Sequence, residues 1–87
     1  MKAVITVIGK DMVGILAKVS NVCADVNANI MEVTQSVLQD YFAMVMLIDM
    51  EKMSTSVAEL ETRLTENAAG MKIHVMHEDI FNSMHRI

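Results

Sequence analysis

Ile8–Val22 has the sequence IGKDMVGILAKVSNV, and the order of its residues decides how the chain begins to fold. An apolar run stops at Gly9, a short segment containing Asp11 follows, and a helical pattern starts beyond Gly14. Glycine at the start of a helix costs stability relative to most other residues. The presence of glycine at position 14 therefore needs a physical reason, which depends on the elements that the residues before and after this junction form.

The residues before the junction predict a strand, and those after it predict an amphipathic helix. Residues 3–8 (AVITVI) are apolar and rich in β-branched side chains, which favours a buried strand. From Ile15 onward, apolar residues recur at steps of three and four and therefore share one helix face. These residues are Ile15, Val19, Val22, Cys23 and Val26. Residues 27–29 (NAN) end the helix, because asparagine tolerates left-handed backbone geometry.

Two strands joined by a turn follow this helix. Residues 30–38 alternate apolar with polar side chains, whereas residues 42–50 are apolar on both faces. Met31 is expected to pack under a helix. A turn centred on Gln39 and Asp40 connects the two strands.

The second half of the chain repeats the order of strand, helix and strand. Ser56 with Glu59 fits a capping box, and Gly70 is the expected helix stop. Between them, the apolar residues with helical spacing are Val57, Leu60, Leu64 and Ala68. Residues 71–78 predict a fourth strand, and the apolar residues from Ile80 to Ile87 have the spacing of a short terminal helix.

Two successive strand–helix–strand units predict an α+β, ferredoxin-like βαββαβ fold in one domain over residues 1–87. We expect a four-stranded antiparallel sheet with two helices on one face, plus the short C-terminal helix. Right-handed crossovers place the first and third strands in the middle. The face without helices would expose either Val4 and Ile8 or Ala3, Ile5 and Val7, and the terminal helix would cover part of it. So large an apolar face is unusual in a monomer, which predicts a homodimer.

Composition narrows the possible classes of function. The net charge is −4, and the seven basic residues are scattered along the chain, which argues against nucleic acid as a partner. The longest apolar run, residues 42–48, is too short for a membrane-spanning helix, so no membrane partner is expected. Cys23 is the only cysteine, which excludes an intrachain disulfide and suits a reducing cytoplasm. Its place in the apolar helix face indicates a buried hydrophobe and not a nucleophile.

The sequence contains no pattern that points to an enzyme. Ser-His-Asp, phosphate-loop and zinc spacings are all absent, so we expect no catalysis, no cofactor and no metal. His74 and His77 are three positions apart in one strand and therefore point to opposite faces. A metal site at the sheet edge that also uses Glu78 and Asp79 is the alternative. The ten methionines are expected to fill core and interface gaps.

The junction at Gly14 has the features of a site for a small zwitterion. A helix N-terminus presents unpaired N–H groups and the positive end of the helix dipole, which together suit a carboxylate. Without a side chain at Gly14, a ligand or a neighbouring subunit can lie against the backbone. Asp11 would either cap the helix or meet an ammonium group beside the bound carboxylate. Both features together would recognise an amino acid.

The same segment resembles the signature of the ACT domain family. In that family the first strand ends in a segment similar to x-D-R-P-G-I/V-L, and a short x-N-I turn opens the second strand. Here KDMVGIL and ANI stand in those places, with MV in place of the common RP. Gly9 stands where some amino-acid-binding members carry a histidine. The resemblance covers essentially the whole chain, and EDIFNSMHRI is similar to the tail of small standalone bacterial and archaeal members.

The resemblance implies a regulatory domain that binds a small effector, usually an amino acid, at a subunit interface. The ligand-binding residues that it implies are Asp11, Met12, Val13, Gly14, Ile15 and Asn29. Asn29, at the start of the second strand of a neighbouring subunit, either hydrogen-bonds the ligand or only forms the turn. The protein would be a cytoplasmic homodimer acting allosterically on a partner protein in trans. The alternative is an oligomerisation or protein-interaction module that binds no ligand.

Overall fold

The computed structural model describes residues 1–10 and 13–84, without the side chains of Leu38 and Met84, and the predicted order of elements is confirmed. The elements are β1 (Lys2–Gly9), α1 (Ile15–Asp25), β2 (Asn29–Leu38), β3 (Tyr41–Asp49), α2 (Val57–Asn67), β4 (Lys72–His77) and α3 (Glu78–Met84). The main difference is that α3 begins two residues earlier than predicted, directly after β4; Ile87 lies outside the described residues. None of the helices in these ranges has the length and apolarity needed to cross a bilayer.

The four strands form one antiparallel sheet in the order β2-β3-β1-β4, so β1 and β3 occupy the middle as predicted. Asp49 pairs with the first residue of β1 and with the first residue of β2. Phe42 pairs with Gly9 on one side and Val37 on the other. We therefore call the two ends of the sheet the Asp49 end, where β1 and β2 start, and the Phe42 end, where they finish.

Helices α1 and α2 pack on one face of the sheet and form the core with it. Ala3, Ile5 and Val7 point towards the helices, which decides between the two predicted orientations of β1. The other buried members of this core include Phe42, Met44, Met46 and Ile48 from β3, Ile73 and Val75 from β4, Val19 and Cys23 from α1, and Leu60 and Leu64 from α2. Removing these side chains from water is the main term that stabilises the fold.

The opposite face carries Val4 and Ile8, and α3 covers only part of it. Helix α3 contacts β1 and β4, and Phe81 lines a cavity of about 210 Å³ together with Val4 and Leu47. Val4 is 3% exposed, whereas Ile8, near the Phe42 end, is 46% exposed. The terminal helix therefore closes the Asp49 end of this face and leaves Ile8 open to solvent.

The edge strand β2 departs from the predicted pattern at one residue. A bulge between Ile30 and Glu32 takes Met31 out of the pairing with β3. Met31 is 45% exposed, so the prediction that it packs under a helix is wrong. Every side chain from Met31 to Val37 is exposed. In the single chain, the outer side of β2 is therefore open.

The predicted start and stop signals of α2 are both confirmed. Ser56 is the N-cap, and its hydroxyl oxygen accepts a hydrogen bond from the Glu59 amide at 3.1 Å. Gly70 has φ 89° just beyond the helix, a left-handed conformation that glycine adopts readily. Asn27 (φ 59°) and Gln39 (φ 56°) take the same kind of conformation at the other two predicted turns.

Leu60→Ala should lower the free energy of unfolding by about 2–5 kcal/mol, because it removes a fully buried side chain and leaves a cavity. Urea denaturation followed by circular dichroism measures this loss. Leu16→Ala is the matched control, since Leu16 is a helical leucine that is 42% exposed, and it should cost far less. Equal losses in the two variants would contradict the described packing of α2.

Candidate functional site

Gly14 is the N-cap of α1 and has a left-handed backbone conformation (φ 74°, ψ 0°). This conformation favours glycine, because the Cβ of any other residue would crowd the adjacent carbonyl oxygen. A Cβ built at this position meets no other described atom within 4 Å. Backbone geometry therefore accounts for Gly14, and the space beside it is open.

The first turn of α1 presents main-chain donors to this open space. The Lys18 amide donates to the Gly14 carbonyl at 3.0 Å and closes the first turn. The amides of residues 15–17 precede that bond, and none of them has an acceptor among the described residues. The side chain of Ile15 is buried in the core, so only its amide is available here. These N–H groups and the helix dipole can hold a carboxylate.

Val13 and Gly14 are exposed next to these donors, whereas Asp11 and Met12 lie outside the described residues. The predicted contacts of Asp11 and Met12 with a ligand therefore stay predictions. The structure places the N-cap at Gly14. The predicted cap, in which the Asp11 carboxylate accepts the Val13 or Gly14 amide, falls outside the described residues and stays a prediction.

Asn29 lies at the opposite end of the sheet from Gly14. It is the first residue of β2 and pairs with Asp49, whereas the β1–α1 junction follows Gly9 at the Phe42 end. The two ends are about seven residues apart along β3, or roughly 23 Å at the usual rise of a strand. A single chain therefore does not bring Asn29 to the α1 N-terminus.

Asn29 instead lines an open groove of about 820 Å³ at the Asp49 end, with Asn27, Asp49, Glu51 and Lys52 among its other residues. One Asp49 carboxylate oxygen accepts the Glu51 amide at 2.9 Å, so that carboxylate is already engaged. The sequence did not predict this groove. Its lining comes from two segments, residues 24–29 and residues 49–52, which the pairing of β2 with β3 brings together.

Met71 is a residue near the junction that the sequence did not single out. Gly9 is buried at the end of β1, and a Cβ added to it would overlap the Met71 sulfur. A histidine at this position would therefore require Met71 to move. The Met71 thioether therefore fills the space beside Gly9, the position at which some amino-acid-binding members of the family carry a histidine.

The buried thiol and the two histidines of β4 offer no catalytic arrangement. Cys23 is fully buried, and desolvation raises its pKa to about 11, so it stays protonated at neutral pH. His74 pairs with Thr6 and His77 with Ala3, which places the two histidine side chains on opposite faces as predicted. In residues 1–10 and 13–84, no group of three or more His, Cys, Asp or Glu side chains is arranged to hold a metal ion.

Comparison with known proteins shows which family has this fold and this junction. A family model described as the ACT domain matches residues 2–78. The chain belongs to the ACT domain family. A UPF0237 protein of Listeria innocua is 45% identical to this ACT domain over 89 residues, which cover 100% of both chains. A UPF0237 protein of Methanopyrus kandleri is 46% identical, over 99% of this chain and 98% of the other.

Similar domains occur in solved structures both as most of a small protein and as one part of a longer enzyme. The ACT domain protein from Streptococcus pneumoniae has a TM-score of 0.78 and 33% identity, with 93% of each chain covered. A formyltetrahydrofolate deformylase from Pseudomonas syringae has a TM-score of 0.72 and 26% identity, covering 87% of this chain and 27% of the enzyme. The predicted relationship to small standalone ACT-domain proteins is confirmed. ACT domains are regulatory rather than catalytic, and regulatory ligand binding is the general function that the family indicates.

Gly14→Val should lower the free energy of unfolding by roughly 1–2 kcal/mol, because a side chain in the left-handed conformation costs that much. Gly14→Asn should cost less, since asparagine adopts this conformation more readily than other residues. Helix content, measured by far-ultraviolet circular dichroism, should be unchanged in both, because α1 begins after Gly14. Parental stability in Gly14→Val would contradict the left-handed conformation at this position.

Proposed function

We propose that this ACT domain forms a cytoplasmic homodimer that binds an amino acid between its two copies and thereby regulates a partner protein in trans. The proposal is carried by the open first turn of α1, where main-chain donors lie beside the side-chain-free Gly14. Family membership supports the regulatory role. The chain would work as one domain over residues 1–87.

The open edge of β2 favours a second copy of this chain as the neighbour. β2 is ten residues long and forms one edge of the sheet. Its exposed side chains include the apolar Met31, Val33 and Val37. No described side chain forms a hydrogen bond to its backbone. A long, partly apolar edge of this kind pairs readily with another strand, and two identical edges would pair about a twofold axis.

Antiparallel pairing of two β2 strands would bring the two parts of the predicted site together. β2 runs from Asn29 at the Asp49 end to Leu38 at the Phe42 end. A twofold-related β2 runs in the opposite direction, so Asn29 of the partner subunit would lie at the Phe42 end, which also holds Gly14. Helix α1 lies on this side of the helix layer, since α1 contacts β2 whereas α2 contacts β4.

Such an interface has groups for both charges of an amino acid. The α1 amides and the helix dipole would bind the carboxylate. Asp11 would meet the ammonium group, and the side-chain amide of Asn29 of the partner subunit would donate to or accept from the ligand. Because a bridging ligand contacts both chains, it would bind one dimer geometry more tightly than another and shift the population towards it.

A thermal-shift screen of the twenty amino acids tests the ligand. An amino acid at 100 times its dissociation constant should stabilise the protein by about 2.7 kcal/mol. Asp11→Ala and Asn29→Ala should each lose the shift, whereas Asn21→Ala, an exposed asparagine of α1, should keep it. If no amino acid gives a shift, the ligand proposal fails and the interaction module without a ligand is favoured.

Val33→Lys tests the dimer. A lysine on an edge strand opposes pairing with another strand, so the variant should run as a 9.7 kDa monomer in size-exclusion chromatography with light scattering. Thr62→Lys, on the exposed side of α2, is the charge-matched control and should stay dimeric. A parent protein that is already monomeric would contradict the homodimer. A dimeric Val33→Lys variant would contradict the β2 interface.

A further inference from the structure

The two edges of the sheet differ in what covers their backbone groups. β2 has ten residues, and no described side chain bonds to its backbone. β4 has six residues and lies against α2. An uncovered strand edge is a template for pairing with another chain, and natural sheets protect such edges with charged side chains among other devices. The β4 edge therefore needs a device of this kind to prevent it from pairing with another chain.

A carboxylate from α2 occupies the middle of the β4 edge. The Val75 amide donates a hydrogen bond to Glu61 Oε1 at 2.8 Å. Amides along a strand point alternately to the two sides. The outward amides of β4 are therefore those of Ile73, Val75 and His77, of which Val75 is central. The same Glu61 oxygen lies 3.9 Å from His74 Nδ1. A hydrogen bond to an ionised carboxylate is stronger than one between neutral groups.

We propose that Glu61 closes the β4 edge to strand addition, so that a second copy of this chain can pair only through β2. A strand approaching β4 would find the central donor already taken. It would also have to displace a carboxylate that is held between the edge and α2. Displacing the carboxylate breaks its charge-assisted hydrogen bond with the Val75 amide, so both effects oppose pairing at this edge.

The closure limits how far the assembly can grow, and this consequence rests on the proposed β2 dimer. A dimer joined through β2 presents a β4 edge at each of its two outer ends. If β4 could also pair with β4 of another dimer, the two kinds of contact would alternate and the sheet would grow without closing. Open assemblies of this sort form filaments. Glu61 therefore keeps the regulatory unit finite.

Glu61→Ala tests the proposal by sedimentation velocity and light scattering over a range of protein concentrations. The variant should show an average mass that rises with concentration above the parental value. Glu61→Gln keeps an oxygen acceptor at the same place and should retain the parental mass. Glu66→Ala removes an exposed carboxylate from the same helix and should also retain it, which separates loss of the acceptor from loss of charge. A parental mass for Glu61→Ala at every concentration would overturn the proposal.

Two further measurements separate this proposal from the β2 dimer and from loss of folding. In a Val33→Lys background, where β2 is blocked, Glu61→Ala should form a dimer through β4 and stop there. If Val33→Lys shows that β2 is not the interface, a mass increase in Glu61→Ala would still support the proposal that Glu61 blocks pairing at β4.

Hydrogen exchange at low protein concentration should be faster at the Val75 amide in Glu61→Ala than in Glu61→Gln. Equal exchange in those two variants would overturn the proposal independently of any change in global stability.

Discussion

One-sided packing is the constraint on which the rest of this structure depends. Both long helices lie on the same face of a four-stranded sheet, so the core has two layers and the other face relies on the short helix α3. A chain of 87 residues buries a smaller share of its surface than a larger domain does. Whatever covers Ile8 and the edge of β2 would therefore add a sizeable fraction to its stability. In so small a domain, association of the proposed kind would also stabilise the fold.

Gly14 shows why the geometry of a residue and its function have to be considered separately. Its φ of 74° is a left-handed conformation that favours glycine whether or not a ligand binds. Ligand binding would depend on two other properties: the open space beside Gly14, and the amides of residues 15–17, which have no acceptor among the described residues. Gly9 is the contrasting case, because the Met71 thioether fills the space that a side chain would take. Of the two glycines at this junction, only Gly14 has open space beside it for a ligand or a neighbouring subunit.

Features that depend on nearby residues could be predicted from the sequence, and features that depend on the register of distant segments could not. The apolar face of α1 and the Ser56 cap follow from spacings of three and four residues, and the crossover rule gave the strand order. The bulge at Met31 depends on how β2 aligns with β3. The bond between Glu61 and Val75 joins residues 14 apart in the chain. The groove at Asn29 likewise needs two distant segments, residues 24–29 and 49–52, to meet.

The position of Asn29 links the proposed association of two copies to the proposed ligand binding. Within one chain it is separated from Gly14 by the length of the sheet, so the two residues would share a site only across a contact between two copies. In the proposed dimer, a twofold axis at the β2 edge and perpendicular to the strands would reverse the second strand and remove that separation. A ligand held there would touch the two chains at their contact, where a small change in pairing alters the relative orientation of both domains. Because Glu61 accepts the central amide of the other edge, the proposed pairing of this sheet with a copy of itself would use the β2 edge.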